Sequence, residues 1–143
     1  MKHNKGLILL IAVLALFLGA AVLASAQETL KLSGVTVKDE YPNGCVDCHT
    51  QSGENNYRLN TELKNLNGHP DITKITKTVP KDCAMCHTPK LPAGSLNLIT
   101  HKSHYQNPSK NSFISDYQGD CLACHSLNLS TGEMSVKSGP KNW

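Results

Sequence analysis

Cys45-Val46-Asp47-Cys48-His49, Cys83-Ala84-Met85-Cys86-His87 and Cys121-Leu122-Ala123-Cys124-His125 are three readings of one five-residue unit, C-x-x-C-H. The intervals between successive units, 45 to 83 and 83 to 121, are both 38 residues, and all six cysteines of the chain lie inside them. Each unit is followed at once by Thr or Ser (Thr50, Thr88, Ser126) and later by a glycine (Gly53, Gly94, Gly132), so the three are related steps of a degenerate repeat.

The spacing has a chemical meaning. Two thiols three residues apart lie about one helical turn apart on one side of a helix, where each can form a thioether with one vinyl group of a porphyrin. The histidine that follows points its imidazole at the iron, and C-x-x-C-H is the attachment sequence of a c-type haem. Three other readings compete. Zinc sites pair two C-x-x-C units within about 15–20 residues, and zinc does not require a histidine after each pair. With 7 histidines in 143 residues, three such followers arise by chance roughly once in ten thousand. Structural disulfides suit a small exported protein. A thioredoxin-like redox pair is normally single and sits in a βαβ setting. The reading adopted is three haem c groups, held by Cys45, Cys48, Cys83, Cys86, Cys121 and Cys124 as thioethers and by His49, His87 and His125 as proximal iron ligands.

The remaining histidines match that count. His3 lies in the N-terminal leader, which leaves His69, His101 and His104 for three sixth positions. Any one of them alone reads most simply as a surface histidine; together they fit three bis-histidine irons, six-coordinate and closed to substrate. His69 precedes Pro70, which biases it to extended backbone on a fixed loop. His101 and His104 are three apart and share a helical face. They reach two different irons only if two haems flank one helix. Methionine is the rival sixth ligand: Met85 faces awkwardly within a motif, and Met134 is the free candidate. An axial methionine would raise the potential relative to bis-histidine.

The N-terminus carries Lys2 and Lys5, then an apolar run from Leu7 to Leu23, then Ala24-Ser25-Ala26. That is a signal peptide over residues 1–26 with an A-x-A cleavage site, and it places the chain in the periplasm or otherwise outside the cytoplasm. The 17-residue run exceeds the usual upper bound of about 15 for such a region, so retention as a membrane anchor through residues 7–23 is the alternative. Residues 27–143 then form one triheme domain.

Those 117 residues are poor in large apolar groups, with Phe113, Trp143 and four tyrosines as their aromatics. A chain this small struggles to bury a sufficient core alone. Three porphyrins would supply it through the hydrophobic effect. The expected fold is mainly α with extensive coil, packed around haem, with little regular secondary structure. Without Lys2 and Lys5, 12 Lys+Arg face 11 Asp+Glu, a net +1. Six propionates at roughly −6 and three ferric haem cores at about +3 would bring the total near −2. Nothing in this balance points to nucleic acid.

Local signals complete the reading. Leu30 to Lys38 reads as a short strand or arm, Tyr41-Pro42-Asn43-Gly44 as a turn, and Thr61–Leu66 as a short helix. Ser95 to Asn107 reads as a helix capped by Ser95 and ended by Pro108. Lys74, Lys77 and Lys81 read as a solvated face, with a docking patch for an acidic partner as the alternative. Ser126 to Trp143 reads as an ordered coil or a flexible tail.

The chain resembles the small multihaem c-type cytochromes, among them the class III and triheme kind. The resemblance rests on the three C-x-x-C-H units, the His101/His104 pair and the low aromatic content. The family implies single-electron transfer in periplasmic or extracellular respiration, with redox proteins or a membrane electron-transfer complex as partners. In class III members the H-x-x-H pair typically precedes the first motif and serves two haems. Here it lies before the third, and nothing ahead of Cys45 in the mature chain can ligate iron. Two alternatives to a simple carrier stand beside it. One is a haem enzyme with an open iron, for which no acid–base constellation is visible. The other is a subunit of a redox complex or filament, an oligomer in which a histidine reaches a neighbour's haem.

Overall fold

The structure is a computed structural model and describes residues 30–143. The chain divides after Leu30, and the second unit, Lys31–Trp143, is compact. The signal-peptide reading of residues 1–26 and the anchor reading of residues 7–23 lie outside the described residues. Among the described residues, no helix is long and apolar enough to cross a membrane.

The elements of the second unit are short and follow the motifs. Helix α1 is the first motif itself, Cys45–Cys48. A two-residue hairpin follows, β1 (Gln51–Ser52) against β2 (Asn55–Asn56), and then α2 (Leu59–Lys64). Strand β3 (Thr78–Val79) leads into a 3₁₀ turn, Lys81–Met85, that carries the second motif. Helix α3 (Leu96–Tyr105) is the longest described. A 3₁₀ turn, Pro108–Lys110, and α4 (Ser112–Ser115) connect it to a third 3₁₀ turn, Cys121–Ala123, which opens the third motif. The chain ends in β4 (His125–Leu127), β5 (Met134–Val136) and β6 (Gly139–Pro140). The three ladders, β1–β2, β3–β6 and β4–β5, are all antiparallel.

Helix α3 starts one residue after Ser95, whose backbone is extended but whose side chain makes no capping hydrogen bond. It stops at Tyr105, three residues before Pro108, where Gln106 turns extended. Residues 32–37 form a tight turn closed by a Ser33–Val37 bridge, not a strand.

Five apolar side chains are buried among the described residues: Val46, Ile72, Val79, Leu122 and Ala123. Three of these occupy the x-x positions of motifs one and three. The short turn that aims two sulfurs one way turns the intervening residues the other way, into protein. The second motif differs, with Ala84 and Met85 exposed. Large apolar groups such as Leu98, Ile99, Tyr105, Met134 and Val136 stand exposed. Protein atoms alone therefore give the unit a small core.

The C-terminal segment is no flexible tail, and its ordered coil is interrupted by strands β4, β5 and β6. It ties the three motifs together. The Lys137 backbone N–H donates to Cys124 O at 2.9 Å in motif three. The Asn142 side-chain amide donates to Val46 O and His49 O, both at 2.9 Å, in motif one. Beside motif two, Ser138 Oγ donates to Val79 O at 3.2 Å and Lys141 N to Lys77 O at 2.8 Å. A Cβ at Gly139 would collide with Asn43 Cβ and meet Val46 Cγ2, so only glycine lets this strand cross the first motif so closely. Polar composition signalled solvent here, but the polar groups satisfy main-chain carbonyls that short helices leave without partners.

Lys137 is buried, and its ammonium donates to Asp39 Oδ1 at 2.7 Å and Leu122 O at 2.6 Å. Burial alone would raise the Asp39 carboxyl. The hydrogen bonds from Lys137 and from Tyr41 N outweigh it and hold the group below its ordinary range. The pair fastens the segment ahead of motif one to motif three. It passes beside Gly44, whose positive φ of 65° and lack of a Cβ leave room for the Lys137 stem.

Candidate functional site

Six imidazoles fall into three pairs. His49 faces His104 with ring centroids 6.1 Å apart and planes at 86°. His69 faces His87 at 6.1 Å and 16°. His101 faces His125 at 6.0 Å and 7°. Each pair joins one motif histidine to one of the three others. An iron held at about 2.0 Å by two opposed ring nitrogens, each about 1.1 Å from its own centroid, sets the centroids roughly 6 Å apart. Rings in direct contact also occur at this separation. The three contacts match each motif histidine to a different one of the remaining three.

The second ring nitrogen is occupied in five of the six. His49 Nδ1 lies 3.2 Å from Tyr57 O, His69 Nδ1 3.0 Å from Pro70 O, and His87 Nδ1 3.3 Å from Ala93 O. On α3, His101 Nδ1 lies 2.7 Å from Asn97 O and His104 Nδ1 2.8 Å from Thr100 O, each the carbonyl four residues back. A carbonyl only accepts, so Nδ1 carries the proton and donates. Nε2 is then the basic nitrogen, with its lone pair free for a metal. Burial holds His49 below the usual imidazole range, which keeps it neutral at pH 7 as ligation requires.

Local structure places each ring. The β1–β2 hairpin returns the chain so that Tyr57 N donates to Thr50 O at 3.0 Å, and this sets the carbonyl that orients His49. Pro70 fixes the loop at His69. Helix α3 carries two rings of the His-x-x-His pair: His104 goes to the motif-one histidine and His101 to that of motif three. A cavity of about 260 Å³ lies against this helix and is lined by Cys45 and His104 together with Cys121, Cys124, His125 and His101. The sites of motifs one and three thus share a wall.

No two cysteines are bonded to each other among the described residues. As free thiols, Cys45 is pushed up to about 12 and Cys48 to about 11, first by burial and then by the nearby Cys124 sulfur. Burial raises Cys83 and Cys124 as well. A thioredoxin-type pair needs the opposite, a thiol made acidic by its surroundings. These sulfurs suit a neutral end state such as a thioether. No three His, Cys, Asp or Glu side chains converge on a bare-ion position among the described residues. Each motif offers two sulfurs and an adjacent imidazole, with a second imidazole ring 6.0–6.1 Å away, a donor set that fits haem.

Several contributors have no signature in the sequence. The carbonyls of Tyr57, Ala93 and Pro70 are backbone atoms. Phe113 packs edge-on against His104, with centroids 5.1 Å apart at 86°, but its place on a four-residue helix carries no local signal. The i, i−4 bonds of His101 and His104 do follow from helical spacing once the helix is granted. Met134, the rival ligand, lies on β5 opposite Leu127. No family model, no curated protein and no solved structure matches this chain.

Proposed function

We propose that the chain is an exported triheme c-type cytochrome that carries single electrons. Its haems are attached at Cys45/Cys48, Cys83/Cys86 and Cys121/Cys124, with axial pairs His49/His104, His87/His69 and His125/His101. The observation that carries this reading is the matching of each motif histidine to one other imidazole at 6.0–6.1 Å. Bound haem supplies one-electron exchange between ferric and ferrous iron. The chain's part would be to hold the six imidazoles, five of them with Nδ1 protonated toward a carbonyl, to exclude exogenous ligands, and to bring two of the sites against one helix. Closed axial positions favour outer-sphere transfer over catalysis on a bound substrate. Residues 1–26 act as the export leader in this reading, and the partners are redox proteins or a membrane electron-transfer complex.

The purified holoprotein should contain three haems per polypeptide by its pyridine haemochrome. It should be low-spin in both oxidation states and leave its reduced spectrum unchanged under carbon monoxide. Carbon monoxide binding at every iron would remove the bis-histidine assignment.

A further inference from the structure

We propose that the haem of the first motif is electronically distinct from the other two, and that Phe113 is the positioning residue that keeps it so. This rests on the bis-imidazole reading above. The imidazole planes cross at 86° in the His49/His104 pair but lie near parallel, at 16° and 7°, in the other two. Each imidazole interacts with iron through a π orbital perpendicular to its ring. Parallel rings address the same iron dπ orbital and split the pair. Crossed rings address one orbital each and leave the two nearly degenerate. Near-degeneracy preserves orbital angular momentum, so the low-spin ferric ion acquires a strongly axial g tensor. Split orbitals give an ordinary rhombic one.

The crossing is held from both sides. His49 is fixed by Tyr57 O at 3.2 Å. His104 is fixed by Thr100 O at 2.8 Å and by the edge contact with Phe113. Hydrogen bonding at Nδ1 resists rotation, and the Phe113 ring blocks the swing that would bring the His104 plane parallel to that of His49. Phe113 cannot easily yield. Asn111 accepts from Phe113 N at 3.0 Å through its side-chain oxygen. Its amide nitrogen donates to Ser103 O at 2.8 Å and Gln106 O at 3.2 Å, tying α4 to the end of α3. Tyr105 also meets the Phe113 ring, with centroids 5.4 Å apart at 83°, and Tyr117 stacks on it at 6.4 Å. At His101 the neighbouring aromatic is Tyr105, at 27° and not edge-on.

Low-temperature electron paramagnetic resonance on the oxidised, full-length holoprotein tests this. The expected spectrum has one strongly axial low-spin signal with a large g maximum and two rhombic low-spin signals, in a ratio of one to two. His104→Ala should abolish the axial signal and spare both rhombic ones. Phe113→Leu and, independently, Asn111→Ala should move the axial signal toward rhombic while three haems per chain are retained. Three rhombic low-spin signals in the unmodified protein would overturn the proposal and leave the bis-imidazole reading standing. So would an axial signal that ignores both substitutions in a folded, fully loaded protein. A high-spin signal in the unmodified protein would overturn the bis-imidazole reading itself, and the proposal with it.

Discussion

Replacing His69, His101 or His104 singly with alanine should open one iron per chain in each case. The reduced variants should each bind one carbon monoxide per polypeptide, against none for the unmodified protein. Each substitution addresses a different motif: His69 that of Cys83–His87, His101 that of Cys121–His125, and His104 that of Cys45–His49. Thioether attachment does not depend on the sixth ligand, so all three variants should still carry three haems. With haem bound as proposed, loss of one imidazole would replace a six-coordinate low-spin iron by a five-coordinate one, and its potential should rise, because the oxidised form loses the stronger donor. Carbon monoxide titration followed in the visible spectrum measures the stoichiometry. A variant that binds none assigns its histidine to the surface. His101→Ala and His104→Ala should also differ from each other, since the two rings serve separate motifs although they share one helix. A titration of the double variant should reach two per chain.

Removing the haems altogether should have the larger effect on structure. A chain with all six cysteines changed to alanine should show no cooperative unfolding transition in urea and little helical circular dichroism. The reason lies in the distribution of apolar groups. Among the described residues the buried apolar side chains are Val46, Ile72, Val79, Leu122 and Ala123, two of them from one motif. Leu98, Ile99, Tyr105 and Val136 stand exposed; Tyr105 and Val136 also line the cavity between motifs one and three. Fully burying one such side chain is worth about 1.5–3 kcal/mol, while fixing each residue's backbone costs about 1–2 kcal/mol. A core of five cannot offset the ordering of a chain this long. Helix α3, at 10 residues, is also below the length of about 12–15 at which an isolated helix becomes marginal in water. A six-alanine chain that unfolds cooperatively with several kcal/mol of stability would show that protein packing alone suffices.

What sequence makes legible here is what is local. The C-x-x-C-H units need only five residues to suggest the haem attachment proposed above. The helix around His101 and His104 is bounded by Ser95 and Pro108, and the structure ends it at Tyr105, where the backbone turns extended. Which imidazole faces which is a long-range property: His49 and His104 are 55 residues apart, and no periodicity connects them. The anchoring role of the C-terminal segment is not legible in sequence, because composition weighs side chains by polarity. Lysine and asparagine normally mark solvent, yet Lys137 and Asn142 turn inward to orphan carbonyls of Leu122, Val46 and His49. Those carbonyls lack partners because the motif helices are a single turn long, and that shortness becomes visible only in three dimensions. Phe113 shows the same limit on a smaller scale, since an aromatic in a polar loop gives no hint of the ring it abuts.

The claim beneath all of this is that six sulfurs of the chain are bonded to three porphyrins. Intact mass of the full chain, measured after export, under denaturing conditions and with excess alkylating reagent, tests it most directly. The account predicts a polypeptide carrying three haems with no sulfur open to alkylation. A bare polypeptide with six alkylated cysteines would contradict it.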